Sequence, residues 1–572
     1  MTSSRLALLL VAAGCAGHPS PSRGTDDAGA ETGDEAAPDV APPRPVAPVS
    51  VSFLTSKRPT FRWQLSAGTD GARVEVCADR ACARLVTSFD ATGTQAAPGV
   101  DLPAGVVFWR LRGESGGAAG ASTSATWEAV VPPLSAPVAT AWGSMIDADG
   151  DGYAEVVVGD SDLNAPTQHV YVHRGGPSGP SPSPSQVLSA PSPVAAYATS
   201  LASAGDLDGD GYADLLVGSP GENTVYVYRG GAGGFAAEPA LLLVGPGESS
   251  FGASVSGAGD VDGDGYADVV VGAPALLVHG NPVQGAATVY FGSASGLSAS
   301  RSAPLGPRAG SDAQGFAAFV SEAGDLDGDG LGDVAVWGGI DTADPQYVLV
   351  YRGADRPYGA APGLLFQFDG ADPSWLPTAN LLVCAGDVNG DGYPDLAVAT
   401  AVAPAGYALD HVSVFLGGSP SPTQVPWRRI DDPLALGDHF GLTLAGADFD
   451  QDGFSDLAAT TASYATPPVS ALVYAGGPMG MGLATTMTTP DATTLFDREA
   501  ASPGDVDGDG YPDLLVAFPS RTTTVPAGAD GPRHGAVEVH AGGPHGAGAA
   551  ARWTLLPPDG TAVAYGASLA RP

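Results

Sequence analysis

The sequence predicts an all-β protein, a seven-bladed β-propeller preceded by a small β-sandwich. Three observations predict it. A nine-residue acidic loop of the form D-x-D-G-D-G-Y-x-D recurs seven times, beginning at Asp147, Asp206, Asp260, Asp325, Asp387, Asp448 and Asp505, at intervals of 54 to 65 residues. A period of that size marks stacked or radial repeats. Each loop runs into a short β-branched stretch bounded by Gly or Pro, as in Val269-Val-Val-Gly-Ala-Pro274, and such stretches read as strands. Four short strands can be traced per repeat, which is the composition of a propeller blade.

The loop is built to hold a small hard cation. Carboxylates at positions 1, 3, 5 and 9, with glycines at 4 and 6, can curl around one ion, and a backbone carbonyl at position 7 completes the set. The candidate ligands of the first three loops are Asp147, Asp149, Asp151, Tyr153 and Glu155; Asp206, Asp208, Asp210, Tyr212 and Asp214; and Asp260, Asp262, Asp264, Tyr266 and Asp268. Those of the next two are Asp325, Asp327, Asp329, Leu331 and Asp333, then Asp387, Asn389, Asp391, Tyr393 and Asp395. The last two supply Asp448, Asp450, Asp452, Phe454 and Asp456, then Asp505, Asp507, Asp509, Tyr511 and Asp513. Ca2+ accepts six to eight oxygens in flexible geometry, whereas Mg2+ keeps its waters, so up to seven Ca2+ ions are expected. The loops contain no His or Cys, which argues against zinc. An unoccupied Asp/Gly turn is the bland alternative, but four unpaired carboxylates in one turn repel each other, seven times over. Gln451 takes a glycine position and makes the sixth loop the weakest of the set.

An EF-hand would need a bidentate Glu at position 12 and flanking helices. Here position 12 falls on residues such as Val217 and Val271, inside strand-like runs, so the loop joins two strands. A third strand follows, as in Val170-Tyr-Val-His-Arg-Gly-Gly176 and Val225-Tyr-Val-Tyr-Arg-Gly-Gly231, and a weaker fourth near Leu241–Val244, 364–368 and 553–556. Phe251-Gly252 and Gly272-Ala273-Pro274, flanking the third loop, resemble the FG-GAP repeat of integrin α-subunit propellers. The resemblance covers roughly residues 135–572 and is sharpest in repeat three; elsewhere the signatures degrade, as at Trp142-Gly143 and Gly218-Ser-Pro220. It implies Ca2+ in the loop between a blade's first two strands, on the lower face. It places ligand recognition on the upper face, here segments 159–168, 274–286, 399–411, 460–470 and 518–535. Tyr565-Gly-Ala-Ser-Leu569 copies the opening of a blade. It reads as the segment that closes the ring on blade one, with a truncated eighth repeat as the alternative.

Ahead of the propeller region (133–572) the chain divides into three. Residues 1–15 read as an export signal, with Arg5 before an apolar run from Leu6 to Ala13, too short to span a membrane. Ala12-Ala-Gly-Cys15 resembles a bacterial lipobox, with Ala12 where Leu is usual. Lipidation of Cys15 would give an outer-membrane or cell-surface lipoprotein, and its absence a secreted one. Residues 16–45, rich in Ala, Pro, Gly and acids, lack the apolar side chains needed to fold and read as a linker. Residues 46–132 carry short alternating strands such as Thr60-Phe-Arg-Trp63 and Val106-Val-Phe-Trp-Arg-Leu111, suited to a sandwich; Val107–Arg112 resembles a fibronectin type III strand. Cys77 and Cys82 are expected to form a local disulfide, and Cys384 a buried apolar filler.

The formal net charge is −38, which excludes nucleic-acid binding. Much of that acidity is local: four acidic positions in each of seven loops, less Asn389, hold 27 of the 62 acids. No G-x-S-x-G, H-E-x-x-H or phosphate-binding loop occurs, and His279, His411 and His534 with Asp410 lie in the candidate upper-face loops without an evident catalytic partner. The reading is therefore a non-enzymatic, monomeric, calcium-binding adhesion or recognition protein for an extracellular protein or glycan. Its only membrane contact would be the N-terminal lipid. A propeller-bearing carbohydrate lyase or hydrolase and an envelope scaffold are the alternatives.

Overall fold

A computed structural model describes residues 40–571 except 49–51, 138, 140, 143–144, 161–167, 191–195, 248, 275–284, 308–314, 339–346, 354–363, 368–381, 401–410, 420–421, 434–438, 463–468, 489–498, 520–521, 524–532 and 559–563. The export signal, Cys15 and most of the linker thus lie outside the described residues, as do most of the upper-face segments.

Seven four-stranded antiparallel sheets follow one another along the chain. Blade three is typical: Ser254–Gly259, Asp268–Ala273, Ala286–Tyr290 and Ser302–Leu305 pair in sequence order. The first strands of successive blades touch one another in turn, so they ring the central axis. Apolar side chains fill the wedges between blades. Val157, Val172 and Leu188 of blade one, for example, meet Leu201, Leu215 and Tyr226 of blade two. Because each sheet is covered on both sides, the strand Thr224–Tyr228 is buried at every residue; its Val-Tyr-Val-Tyr alternation reflects two packed faces rather than one wet and one dry.

Blade one is assembled from both ends of the chain. Its second, third and fourth strands are Val156–Gly159, His169–His173 and Gln186–Ser189. The innermost position is taken by Ser568–Leu569, antiparallel to Val156–Gly159. The ring closes as the Tyr565–Leu569 repeat implied, and this corrects the placement of Trp142-Gly143 as a degraded blade opening. Ala141–Trp142 instead pairs with Ser52–Leu54 of the N-terminal domain.

That domain has two sheets. Arg44–Ala47, Phe61–Gln64 and Gln95–Ala96 form the smaller. The larger includes Ser52–Leu54, Trp127–Val131, Gly105–Ser115, Gly71–Cys77 and Leu85–Thr92. Phe61, Trp63, Trp109 and Trp127 are buried in its core, Trp109 edge-on to Trp127 at 5.5 Å. A disulfide joins Cys77 and Cys82. The first strand begins at Arg44, two residues inside the expected linker.

Candidate metal centre and its interdomain rim

Loops two to seven each leave the end of a first strand and loop one leads straight into Val156–Gly159, so every acidic loop enters a second strand and the described loops open on one face of the ring. The turn is held by the carboxylates themselves. In the seventh loop Asp505 accepts the Gly508 and Gly510 N–H groups through Oδ1 and Oδ2, both at 2.7 Å, and Asp509 Oδ1 accepts from Tyr511 at 3.0 Å. Position 9 is a strut. Asp513 Oδ2 accepts from Val506 in the loop (2.8 Å) and Oδ1 from Gly542 at the end of the third strand (3.0 Å). Asp214, Asp268, Asp333, Asp395 and Asp456 bridge their blades in the same way.

The remaining lone pairs converge. Carboxylate oxygens within 4.8 Å of one another come from Asp147, Asp149 and Glu155; Asp206, Asp208 and Asp210; Asp260, Asp262 and Asp268; Asp325, Asp327 and Asp333; and Asp448, Asp450 and Asp456. Glu155 Oε1, Asp208 Oδ1 and Asp260 Oδ1 are buried without a hydrogen-bond partner. Burial first, then neighbouring carboxylates, pushes Asp147 and Asp260 up to about 7, Asp505 to about 8 and Asp206 and Asp325 to about 6. At position 9, Asp214 and Asp395 rise to about 8 and Asp456 to about 7, again chiefly through burial. Orphaned oxygens and raised pKa values are what buried carboxylates show when positive charge is missing. Arginines supply part of that charge. Arg174, Arg229, Arg352 and Arg552 pair with the position-3 residues Asp149, Asp208, Asp327 and Asp507 at 2.6 to 3.1 Å. Three of the four (Arg174, Arg229 and Arg352) directly follow a third strand, a signal present in the Arg-Gly that ends each of those strands.

Position 7 has a second role that the sequence reading missed. Its side chain lies on the position-4 glycine of the preceding loop. A Cβ on Gly150 would fall 2.8 Å from Tyr212, one on Gly390 2.3 Å from Phe454, and one on Gly508 2.4 Å from Tyr153. Leu331 covers Gly263 at 2.8 Å in the same manner, so the phenol oxygen is dispensable and only the carbonyl of position 7 is left to serve an ion. Gln451, which replaces the glycine in loop six, adopts φ 49° and donates from Nε2 to the Gly510 carbonyl of the next loop. Backbone bonds add to the linkage: Ala154 N–H reaches the Asp505 carbonyl at 2.8 Å and Ala213 that of Asp147 at 3.0 Å. The loops therefore tie neighbouring blades together as well as the two strands of one blade.

The N-terminal domain covers this loop face. Arg44 donates to the Asp151 carbonyl and stacks 4.7 Å over the Tyr153 ring. Arg80 stacks 3.8 Å over Tyr511. Glu128 is buried against Asp448; desolvation pushes Glu128 up to about 7 and Asp448 well above its ordinary range, the latter also through Glu128. Phe53, Val106 and Val130 close the loop-side end of the central channel, whose wall includes Glu322 and the half-buried, free Cys384. Cys384 thus faces the channel instead of filling a core. Of the histidines, His411 begins the strand His411–Phe415 and is buried, not in a loop. His279, His534 and Asp410 have no described side chain.

These features define a β-propeller whose blades each carry an acidic loop. An FG-GAP-like repeat family model matches residues 147–217 and 206–271, and an FG-GAP repeat model matches 380–411 and 499–531. The chain is 34% identical to integrin alpha-3 of Cricetulus griseus over 156 residues, covering 24% of this chain and 15% of that protein. It is 34% identical to integrin alpha-7 of Homo sapiens over 155 residues, covering 24% and 13%. A solved Lactobacillus plantarum protein aligns over 73% of this chain and 98% of its own, with 12% identity and a TM-score of 0.41. The chain thus carries FG-GAP repeats and is homologous to integrin α chains over the matched segment, which spans about 15% or less of those relatives.

Proposed function

We propose that this protein is an exported, calcium-binding recognition protein, without catalytic activity, whose propeller presents loops to an extracellular protein or glycan. The observation that carries the cation is the set of buried, unpartnered oxygens, Glu155 Oε1, Asp208 Oδ1 and Asp260 Oδ1, inside converging carboxylate groups. Ca2+ would sit among positions 1, 3 and 9, with position 5 and the position-7 carbonyl completing an oxygen shell of the kind it prefers. Such an ion replaces the protons that burial otherwise forces onto these acids.

Recognition is inferred from the repeats shared with integrin α chains and from the architecture. With the loop face covered by the N-terminal domain, the opposite face is left for a partner, and rigid scaffolds with variable loops suit that use. Surface attachment through Cys15, or secretion, belongs to the same reading. Metal analysis after dialysis against Ca2+, followed by arrays of glycans and matrix proteins probed with and without chelator, tests it. A protein that retains no Ca2+ sinks the cation reading, and turnover of a polysaccharide sinks the binder.

A further inference from the structure

The glycines at loop position 6 point to a function for the loops beyond the blades. A Cβ on Gly152 would lie 3.1 Å from Arg44 Nη1, the Pro45 carbonyl and Val46 Cα. On Gly211 it would meet Arg62 Nη2 at 2.7 Å, on Gly330 Pro133 at 3.4 Å, and on Gly510 the Thr126 carbonyl at 2.8 Å. Gly392 and Gly453, by contrast, face open space. The N-terminal domain therefore rests on the rims of loops one, two and seven, and Pro133, just after its last strand, on that of loop four. Arg44 and Arg80 fasten it there to a carbonyl and two ring faces.

We propose that the acidic loops are the docking surface of the N-terminal domain and that bound Ca2+ locks the domain onto the ring. This rests on the cation reading above. The contacts are made to the outside of each turn, at the position-5 carbonyl, the position-6 glycine and the position-7 ring, while the carboxylates face inward. An ion that fixes the turn fixes the rim; an empty turn, with its carboxylates repelling, does not hold that shape. Coulomb attraction alone would draw Arg44 and Arg80 more strongly to an empty loop. Both are partly solvated and screened, and neither contacts a carboxylate, so the order of the rim decides.

The test uses the purified full chain. Small-angle scattering is recorded in Ca2+ and after chelation, circular dichroism reports whether the blades persist, and metal analysis reads the ions directly. An R44A/R80A double variant is titrated with Ca2+ by calorimetry. Chelation is expected to raise the radius of gyration while strand content stays constant. The variant is expected to undock in Ca2+ and, because coupling is reciprocal, to bind Ca2+ at least about fivefold more weakly at part of its sites. Ions lost with no change in size, a variant that stays docked, or one that undocks with unaltered affinity would each overturn the lock. If chelation also melts the blades, the variant arm decides alone. No bound metal at the outset removes the cation reading itself, an outcome told apart by metal analysis.

Discussion

Gly508 and Tyr153 show what a single residue does in this ring. Gly508 has φ 76°, and its missing Cβ leaves room for the Tyr153 ring, which comes from the other end of the propeller sequence. Ala there would combine a left-handed backbone cost of about 1–2 kcal/mol with overpacking of about 1–3 kcal/mol. Gly508→Ala is thus expected to lower unfolding free energy by about 2–5 kcal/mol in denaturant titration. Gly176→Ala, where a Cβ meets nothing within 4 Å, should stay within about 0.5 kcal/mol. Equal effects at both sites would show that the contact between loops is unimportant. The glycines were legible in the motif, but their partners were not, since the contact joins one repeat to the next.

Among the elements, the closure strand Ser568–Leu569 carries the most consequence per residue. Tyr565, fully buried, reaches His173 Nε2 through its hydroxyl at 2.7 Å, while His173 Nδ1 bonds the Ser181 carbonyl at 2.7 Å. Nδ1 therefore carries the proton and the Tyr565 O–H donates to Nε2; burial pushes His173 down to about 4, keeping it neutral. Tyr565→Phe leaves that nitrogen without a donor and should cost about 1–3 kcal/mol. Removing residues 565–572 should lower hydrogen-exchange protection in Val156–Gly159, which would keep His169–His173 on one edge but lose its partner on the axis side. Protection that survives truncation would mean that blade one stands without closure. The repeated opening Tyr565-Gly-Ala-Ser was enough to expect this strand. Its consequence for Ala141–Trp142 was not, because a two-residue strand has no pattern of its own.

For the whole molecule, the loops couple stability to pH and to metal. Asp147, Asp260 and Asp456 rise to about 7, and Asp214, Asp395 and Asp505 to about 8, from an ordinary value near 3.8. A carboxyl with a raised folded-state pKa binds its proton more tightly when folded. Its contribution is present below pH 4 and is lost as pH climbs through 6 to 8. The metal-free protein should therefore melt at progressively lower temperature between pH 4 and pH 8. Saturating Ca2+ should raise the melting temperature most at pH 8, since the ion takes the place of those protons and binds only the folded ring. A metal-free melting curve independent of pH would contradict the burial of these acids.

The sequence by itself determined the blade count, the strand order within a blade and the acidic loops, because each of these is written locally and repeated seven times. It offered ring closure through Tyr565–Leu569 beside a truncated eighth repeat, and the pairing of Ser568–Leu569 with Val158–Gly159 chose between them. Periodicity and turn chemistry need no knowledge of what lies across the ring. Only the tertiary structure decided that position-7 side chains cover the neighbouring loop, that arginines after the third strand neutralise position 3, and that the N-terminal domain lies over the loop face. Each of these depends on residues far apart in the chain, brought together by closure of the ring and by a domain whose sequence carries no sign of where it docks.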